Sequence, residues 1–86
     1  MIITEQTKIY QAIHIKWFGP SAHKPSRYKA RSGAGSIWVT KNYGLNTEQN
    51  VRVIAEEYCK RKGWPYDMLY IGQLYDGSYV AVLLHE

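Results

Sequence analysis

Asn46-Thr47-Glu48-Gln49-Asn50-Val51-Arg52-Val53-Ile54-Ala55-Glu56-Glu57-Tyr58-Cys59-Lys60-Arg61-Lys62-Gly63 is the stretch that decides the fold. Val51, Ile54, Ala55 and Tyr58 recur at helical spacing and make a single apolar stripe. Asn46 or Thr47 is placed to cap the first turn, and Gln49 or Asn50 stands at the return position of a capping box. Glu48–Arg52, Glu56–Lys60 and Glu57–Arg61 are Glu-first pairs one turn apart, each worth about 0.2–0.5 kcal/mol. Lys60, Arg61 and Lys62 suit the negative end of the helix dipole, Gly63 suits the position just past it, and Pro65 blocks continuation. One helix over Thr47–Lys62 is the expectation.

On both sides of that segment the period changes from 3.6 to two. From Lys8 to Phe18 one face reads Ile9, Gln11, Ile13, Ile15, Trp17 and the other Tyr10, Ala12, His14, Lys16, Phe18. Gly19-Pro20 ends this strand and Ser21 to Pro25 reads as a polar loop. A second strand is expected from Ser26 to Ser32, with Arg27, Lys29 and Arg31 on one face and Tyr28 and Ala30 on the other. Gly33-Ala34-Gly35 supplies a turn, Ile37-Trp38-Val39 opens a third strand, and Asn42-Tyr43-Gly44 punctuates again. Beyond the helix, Met68 to Tyr75 and Ser78 to His85 flank Asp76-Gly77, the signal for a type I′ hairpin. The order is β-β-β-α-β-β. Residues 1–86 therefore read as one small α+β domain, an antiparallel β-sheet with one long α-helix packed on one face. The polar sides of the first two strands are left on the open face.

The charge is not spread evenly. From Gln6 to Thr47 there is no carboxylate, yet this half holds seven cations: Lys8, Lys16, Lys24, Arg27, Lys29, Arg31 and Lys41. A one-sign segment attracts polyanions before any specific contact forms. In an 86-residue chain with three Trp and eight Tyr, the aromatics compensate for a short core and argue against disorder. The single cysteine, Cys59, rules out an internal disulfide and suits a reducing cytoplasm. No signal-peptide pattern opens the sequence, and no apolar run reaches the roughly 20 residues that span a bilayer. A cytoplasmic protein with no membrane partner is the expectation.

If the first two strands pair, His14 and Lys16 share a face with Arg27, Lys29 and Arg31. Alternate residues of a strand lie about 7 Å apart, the scale on which phosphates succeed one another along a nucleic-acid strand. Arg offers a planar fork for phosphate oxygens and Lys a mobile point charge. Ser26 and Lys24 adjoin this surface, Ser21, Ser32 and Ser36 add hydroxyls, and Tyr10 or Tyr28 is the candidate to stack on a base. The candidate nucleic-acid or phosphate-binding set is thus His14, Lys16, Lys24, Ser26, Arg27, Lys29 and Arg31. The competing account is a solvated β-face whose cations keep the sheet soluble and discourage edge pairing.

Nothing in the sequence calls for catalysis. His14, His23 and His85 are scattered with no metal-ligand spacing, and no nucleophile elbow or Walker loop is present. Cys59 adjoins the apolar stripe as a small inert residue. No cofactor or metal is expected, and the protein is not read as an enzyme. Trp64 and Tyr66 read as aromatics that pack back onto the sheet, and Trp17 and Trp38 as core or sheet-edge residues.

Several short segments carry a resemblance: Lys16-Trp17-Phe18-Gly19-Pro20-Ser21, Ser26-Arg27-Tyr28-Lys29-Ala30, Leu45 with Asn50, Ala55, Gly63-Trp64 and Asp76-Gly77-Ser78-Tyr79-Val80. Over Ile13 to Val82 the chain resembles small accessory proteins encoded by phages and other mobile elements. The loop Ala22-His23-Lys24-Pro25 departs from that pattern by lacking a glycine. The resemblance implies an accessory role and supplies no binding residues of its own. Three functions compete on this basis. The first is a nonenzymatic binder of nucleic acid or a nucleotide phosphate. The second is an anti-defence inhibitor that binds a host defence protein complex, such as a CRISPR-type effector, or sequesters a nucleotide signal. The third is a structural, homo-oligomer-forming phage component.

Overall fold

The computed structural model describes residues 11–84. Within them the helix α1 spans Thr47–Lys62, with Asn46 as its N-cap. The Asn46 side chain accepts from the Gln49 N–H at 2.8 Å, and the Gln49 side chain accepts from the Asn46 N–H at 2.9 Å. Two of the four orphan donors of the first turn are thereby satisfied. At the other end Gly63 adopts φ 68°, and the Gly63 and Trp64 N–H groups donate back to the Lys60 and Cys59 carbonyls. A side chain at that φ would be strained, which is why the helix stops on glycine.

Asn50 is buried and serves the loop before α1 rather than the capping box. Its amide donates to the carbonyls of Asn42, Leu45 and Asn46 and its oxygen accepts from the Asn42 N–H at 2.9 Å. One side chain thus supplies partners that the loop backbone lacks within regular secondary structure.

Five strands, β1 (Ala12–Phe18), β2 (Arg27–Ser32), β3 (Gly35–Thr40), β4 (Met68–Gln73) and β5 (Tyr79–Leu84), form one antiparallel sheet in the order β3-β2-β1-β5-β4. The expected β-β-β-α-β-β architecture is the observed one. The second strand begins at Arg27 rather than Ser26, and the fourth ends at Gln73 rather than Tyr75. The expected strand residues Lys8 to Tyr10 and His85 lie outside the described residues.

The expected type I′ hairpin is not what joins β4 to β5. Type I′ requires positive φ at both central residues, whereas among the described residues only glycines have it, Gly77 at 88° here. The Gly77 N–H donates to the Leu74 carbonyl and the Leu74 N–H to the Ser78 carbonyl. Tyr75, Asp76 and Gly77 therefore form a three-residue loop with glycine in the left-handed position.

Helix α1 covers one face. Ile13 and Ile15 of β1, Tyr28 and Ala30 of β2, and Ala81 and Leu83 of β5 meet Val51, Ile54, Ala55, Tyr58 and Cys59 in a single buried cluster. Trp64 and Tyr66 pack against this cluster as partly buried residues, but their named contacts are with α1 rather than the sheet. Trp64 sets its ring edge against Tyr58 at 5.5 Å, and the Tyr66 hydroxyl donates to Glu56 at 3.4 Å. The Tyr58 hydroxyl donates to the Gly35 carbonyl at 2.7 Å and accepts from Ser32 Oγ at 2.7 Å, whose oxygen takes the Ala34 N–H. This chain ties the β2–β3 turn to the helix.

Candidate nucleic-acid interface

The β1–β2–β3 register builds the open face in three cross-strand rows. Phe18 stands opposite Arg27 and Arg27 opposite Thr40; Lys16 opposite Lys29 and Lys29 opposite Trp38; His14 opposite Arg31 and Arg31 opposite Ser36. All of these residues have the parity that points away from the helix, because Ile13, Ile15, Tyr28 and Ala30 between them point into the core. None of the three strands contains a carboxylate.

Two aromatic rings stand among the cations. Phe18 and Trp38 approach across β2 to a centroid separation of 5.1 Å with planes tilted by 59°. The Arg27 guanidinium lies 4.6 Å from the Trp38 centroid and 5.8 Å from that of Phe18. Lys16 Nζ is 5.5 Å from Phe18, and Lys29 Nζ is 5.4 Å from Trp38. Each such contact is worth about 0.5–1 kcal/mol at an exposed site. They keep the long side chains over the face without neutralising them. A shallow depression of about 380 Å³ is lined by His14, Lys16, Phe18, Lys29 and Arg31.

His14 lies at the border of this patch. Its Nε2 donates to Ser78 Oγ at 3.0 Å, and that hydroxyl donates to Asp76 at 2.6 Å. The Ser78 hydroxyl and N–H hold the Asp76 carboxyl below its ordinary range. Ser78 is buried and its proton is committed to Asp76, so the three residues form a structural link rather than a serine nucleophile with its base. Beyond His14 the open face turns apolar, with Met68 and Tyr70 of β4 exposed.

Of the seven residues singled out from sequence, five converge on this face: His14, Lys16, Arg27, Lys29 and Arg31. Ser26 does not. It shares the parity of Tyr28, is buried, and uses its carbonyl to accept the Lys41 N–H. Lys24 is exposed in the loop closed by the Ser21–Lys24 bridge, off the strands that carry the patch. Tyr28, expected as a stacking residue, is 1% exposed in the core, and burial pushes its phenol further up from its ordinary range. Tyr10 lies outside the described residues. Sequence reasoning missed Trp38, which is 45% exposed on the open face. Its neighbours gave the signal: once Ile37 and Val39 turn inward, period two sends Trp38 outward.

Elsewhere, burial pushes the Cys59 thiol up, away from thiolate reactivity. Among the described residues no three His, Cys, Asp or Glu side chains are grouped to hold a metal ion, and no helix is long and apolar enough to cross a membrane. A larger cleft of about 610 Å³ lies between the start of α1 and β4, with Glu48 and Arg52 as its charged lining. Comparison with protein-family models, with curated proteins and with solved structures gives no match for the chain.

Proposed function

We propose that the protein is a nonenzymatic nucleic-acid-binding module that engages its ligand through the open face of β1, β2 and β3. In the setting that the sequence resemblance implies, this is an accessory role for a phage or mobile element. The supporting observation is where the cations stand. Charges that protect a sheet belong on its edges. Here the edge strands β3 and β4 carry none, while Lys16, Arg27, Lys29 and Arg31 occupy the interior strands β1 and β2. Lys16 directly faces Lys29, a pairing that costs stability and that a polyanion would relieve. Arg27 and Arg31 provide planar donors for phosphate, and Lys16 and Lys29 provide mobile charge between them.

The test is titration of a fluorescein-labelled mixed-sequence oligonucleotide at low salt, read by anisotropy. Wild type should bind, and replacing Arg27 and Arg31 together by Gln should weaken binding with the circular-dichroism spectrum unchanged. Arg52→Gln on the charge-balanced helix should matter far less. Equal losses from both variants would mean that total charge alone matters. No binding of DNA or RNA by wild type would overturn the proposal and favour a protein partner.

A further inference from the structure

We infer that the ligand of the open face is a single strand whose bases stack on Trp38 and Phe18, and not a duplex. This rests on the nucleic-acid reading above and narrows it to one form of the polymer. Three features of the face carry it.

The first is breadth. The major groove of B-DNA is about 12 Å wide and admits a helix or a two-stranded ribbon. The cationic strand β2 lies between β1 and β3 in a five-stranded sheet, which at about 4.8 Å per strand interval is roughly 19 Å across. Such a face cannot enter the groove. A duplex laid on it would meet the cations through its phosphates alone and leave both rings against sugar and phosphate.

The second is the tilt of the rings. Bases of a duplex are parallel and stacked on one another. Phe18 and Trp38 stand 5.1 Å apart with planes 59° from parallel, so two nucleotides seated on them must be splayed. Unstacked, splayed bases are the form in which sheet-based modules take single strands.

The third is the spacing of ring and charge. Lys16, Arg27 and Lys29 all lie within 6 Å of a ring centroid, the closest at 4.6 Å and the farthest at 5.8 Å. A base on either ring therefore brings its own phosphate within reach of a cation already in place. Arg27 lies over both rings and would move from them to phosphate as the base arrives, exchanging its two ring contacts for a charge-assisted hydrogen bond.

The experiment compares one labelled oligonucleotide alone and after annealing to its complement, against wild type, Trp38→Ala and Trp38→Phe, with each variant's melting curve recorded. The single strand should bind more tightly than the duplex. Trp38→Ala should weaken the single-strand complex by about 5- to 150-fold, the range for losing one stacked base, and leave duplex binding unchanged. Trp38→Phe should restore most of the loss, and wild-type tryptophan fluorescence should be quenched by the single strand in a way the Phe variant is not. Duplex binding as tight as single-strand binding, with Trp38→Ala harmless to both, would overturn the single-strand inference and leave the nucleic-acid proposal standing. Absence of binding to either form would overturn both.

Discussion

Lys16 and Lys29 stand directly opposite each other in the antiparallel pairing of β1 and β2. Like charges in that position repel, and none of β1, β2 or β3 contains a carboxylate to compensate. Lys16 Nζ lies 5.5 Å from the Phe18 ring and Lys29 Nζ 5.4 Å from the Trp38 ring, so each ammonium has an aromatic neighbour but no counter-charge on these strands. The face is thus tolerated rather than optimised for stability, as the binding role proposed above would require.

Reversing one charge should separate the two requirements. Lys16→Glu would place a carboxylate opposite Lys29 and beside Arg27 and should stabilise the fold by about 0.2–1 kcal/mol. The same change should reduce oligonucleotide affinity well below that of the neutral Lys16→Gln. Denaturant melts and anisotropy titrations of the two variants check this. A Glu variant that is both less stable and equally competent in binding would show that repulsion between Lys16 and Lys29 has no weight.

The dependence on salt should count the contacts. For a single strand, log K falls against log salt with a slope of about −0.7 for each phosphate neutralised. If Arg27 and Arg31 each hold one phosphate, replacing both by Gln should flatten the slope by about 1.4. Arg52→Gln should leave it unchanged. An unaltered slope in the double variant would place the phosphates elsewhere on the protein.

What could be read from the sequence follows the range of the interaction. The boundaries of α1 were legible because caps, charge pairs and the apolar stripe are all encoded within a few residues. The cation face was legible for the same reason, since period two fixes Arg27, Lys29 and Arg31 on one side of β2. The same alternation sends Tyr28 and Ser26, both expected among the ligand-contacting residues, toward the helix, so those two expectations fail on period two itself. The insertion of β5 between β1 and β4 was not legible, because it depends on which strand meets the free side of β1 across some 65 residues of chain. The hairpin after β4 was misjudged because Asp-Gly suits two loop lengths, and the Leu74–Ser78 pairing, not the dipeptide, selects the three-residue one.

The helix stripe supports a direct stability test. Ile54 is 1% exposed at the centre of the core, and Val53 beside it is 45% exposed on the outer side of α1. Ile54→Ala should cost about 2–5 kcal/mol through lost burial and the cavity left behind. Val53→Ala should stay within about 0.5 kcal/mol of wild type, as surface changes do. Urea denaturation with matched m-values reads both, and comparable losses from the two would remove Ile54 from the core.

Asn50 supplies a second, chemically different test. Its amide satisfies three carbonyls and one N–H around the loop at 42–46 while being 2% exposed. Asn50→Leu would keep the volume but take the side-chain partner from the Asn42 N–H and the Leu45 carbonyl, while the Asn42 and Asn46 carbonyls keep the Leu45 and Asn50 N–H groups. The cost is about 1–3 kcal/mol for each group left without a partner out of reach of water. Amide hydrogen exchange should accelerate at Asn42 and the first turn of α1 before it does in the sheet. Uniform acceleration throughout the domain would mean that Asn50 contributes to global packing and not to the loop.

Asp76 ties the hairpin to His14 through Ser78, and its titration should report that link. The Ser78 hydroxyl and N–H both donate to this carboxylate and lower its pKa in the folded state. A depressed folded pKa means that the carboxylate form favours folding. Its contribution is present above the unfolded value of about 4 and is lost as pH falls through the lower folded value. Ser78→Ala removes the hydroxyl and leaves the N–H, so the Asp76 pKa should rise part of the way toward its ordinary value. The stability difference between wild type and variant should shrink as pH falls through the acid range. Carbon-detected NMR titration of the Asp76 side chain, with denaturation at several pH values, reads both quantities. A midpoint unmoved by Ser78→Ala would show that the backbone alone holds the carboxylate, and that Asp76 is not linked through Ser78 to the basic face.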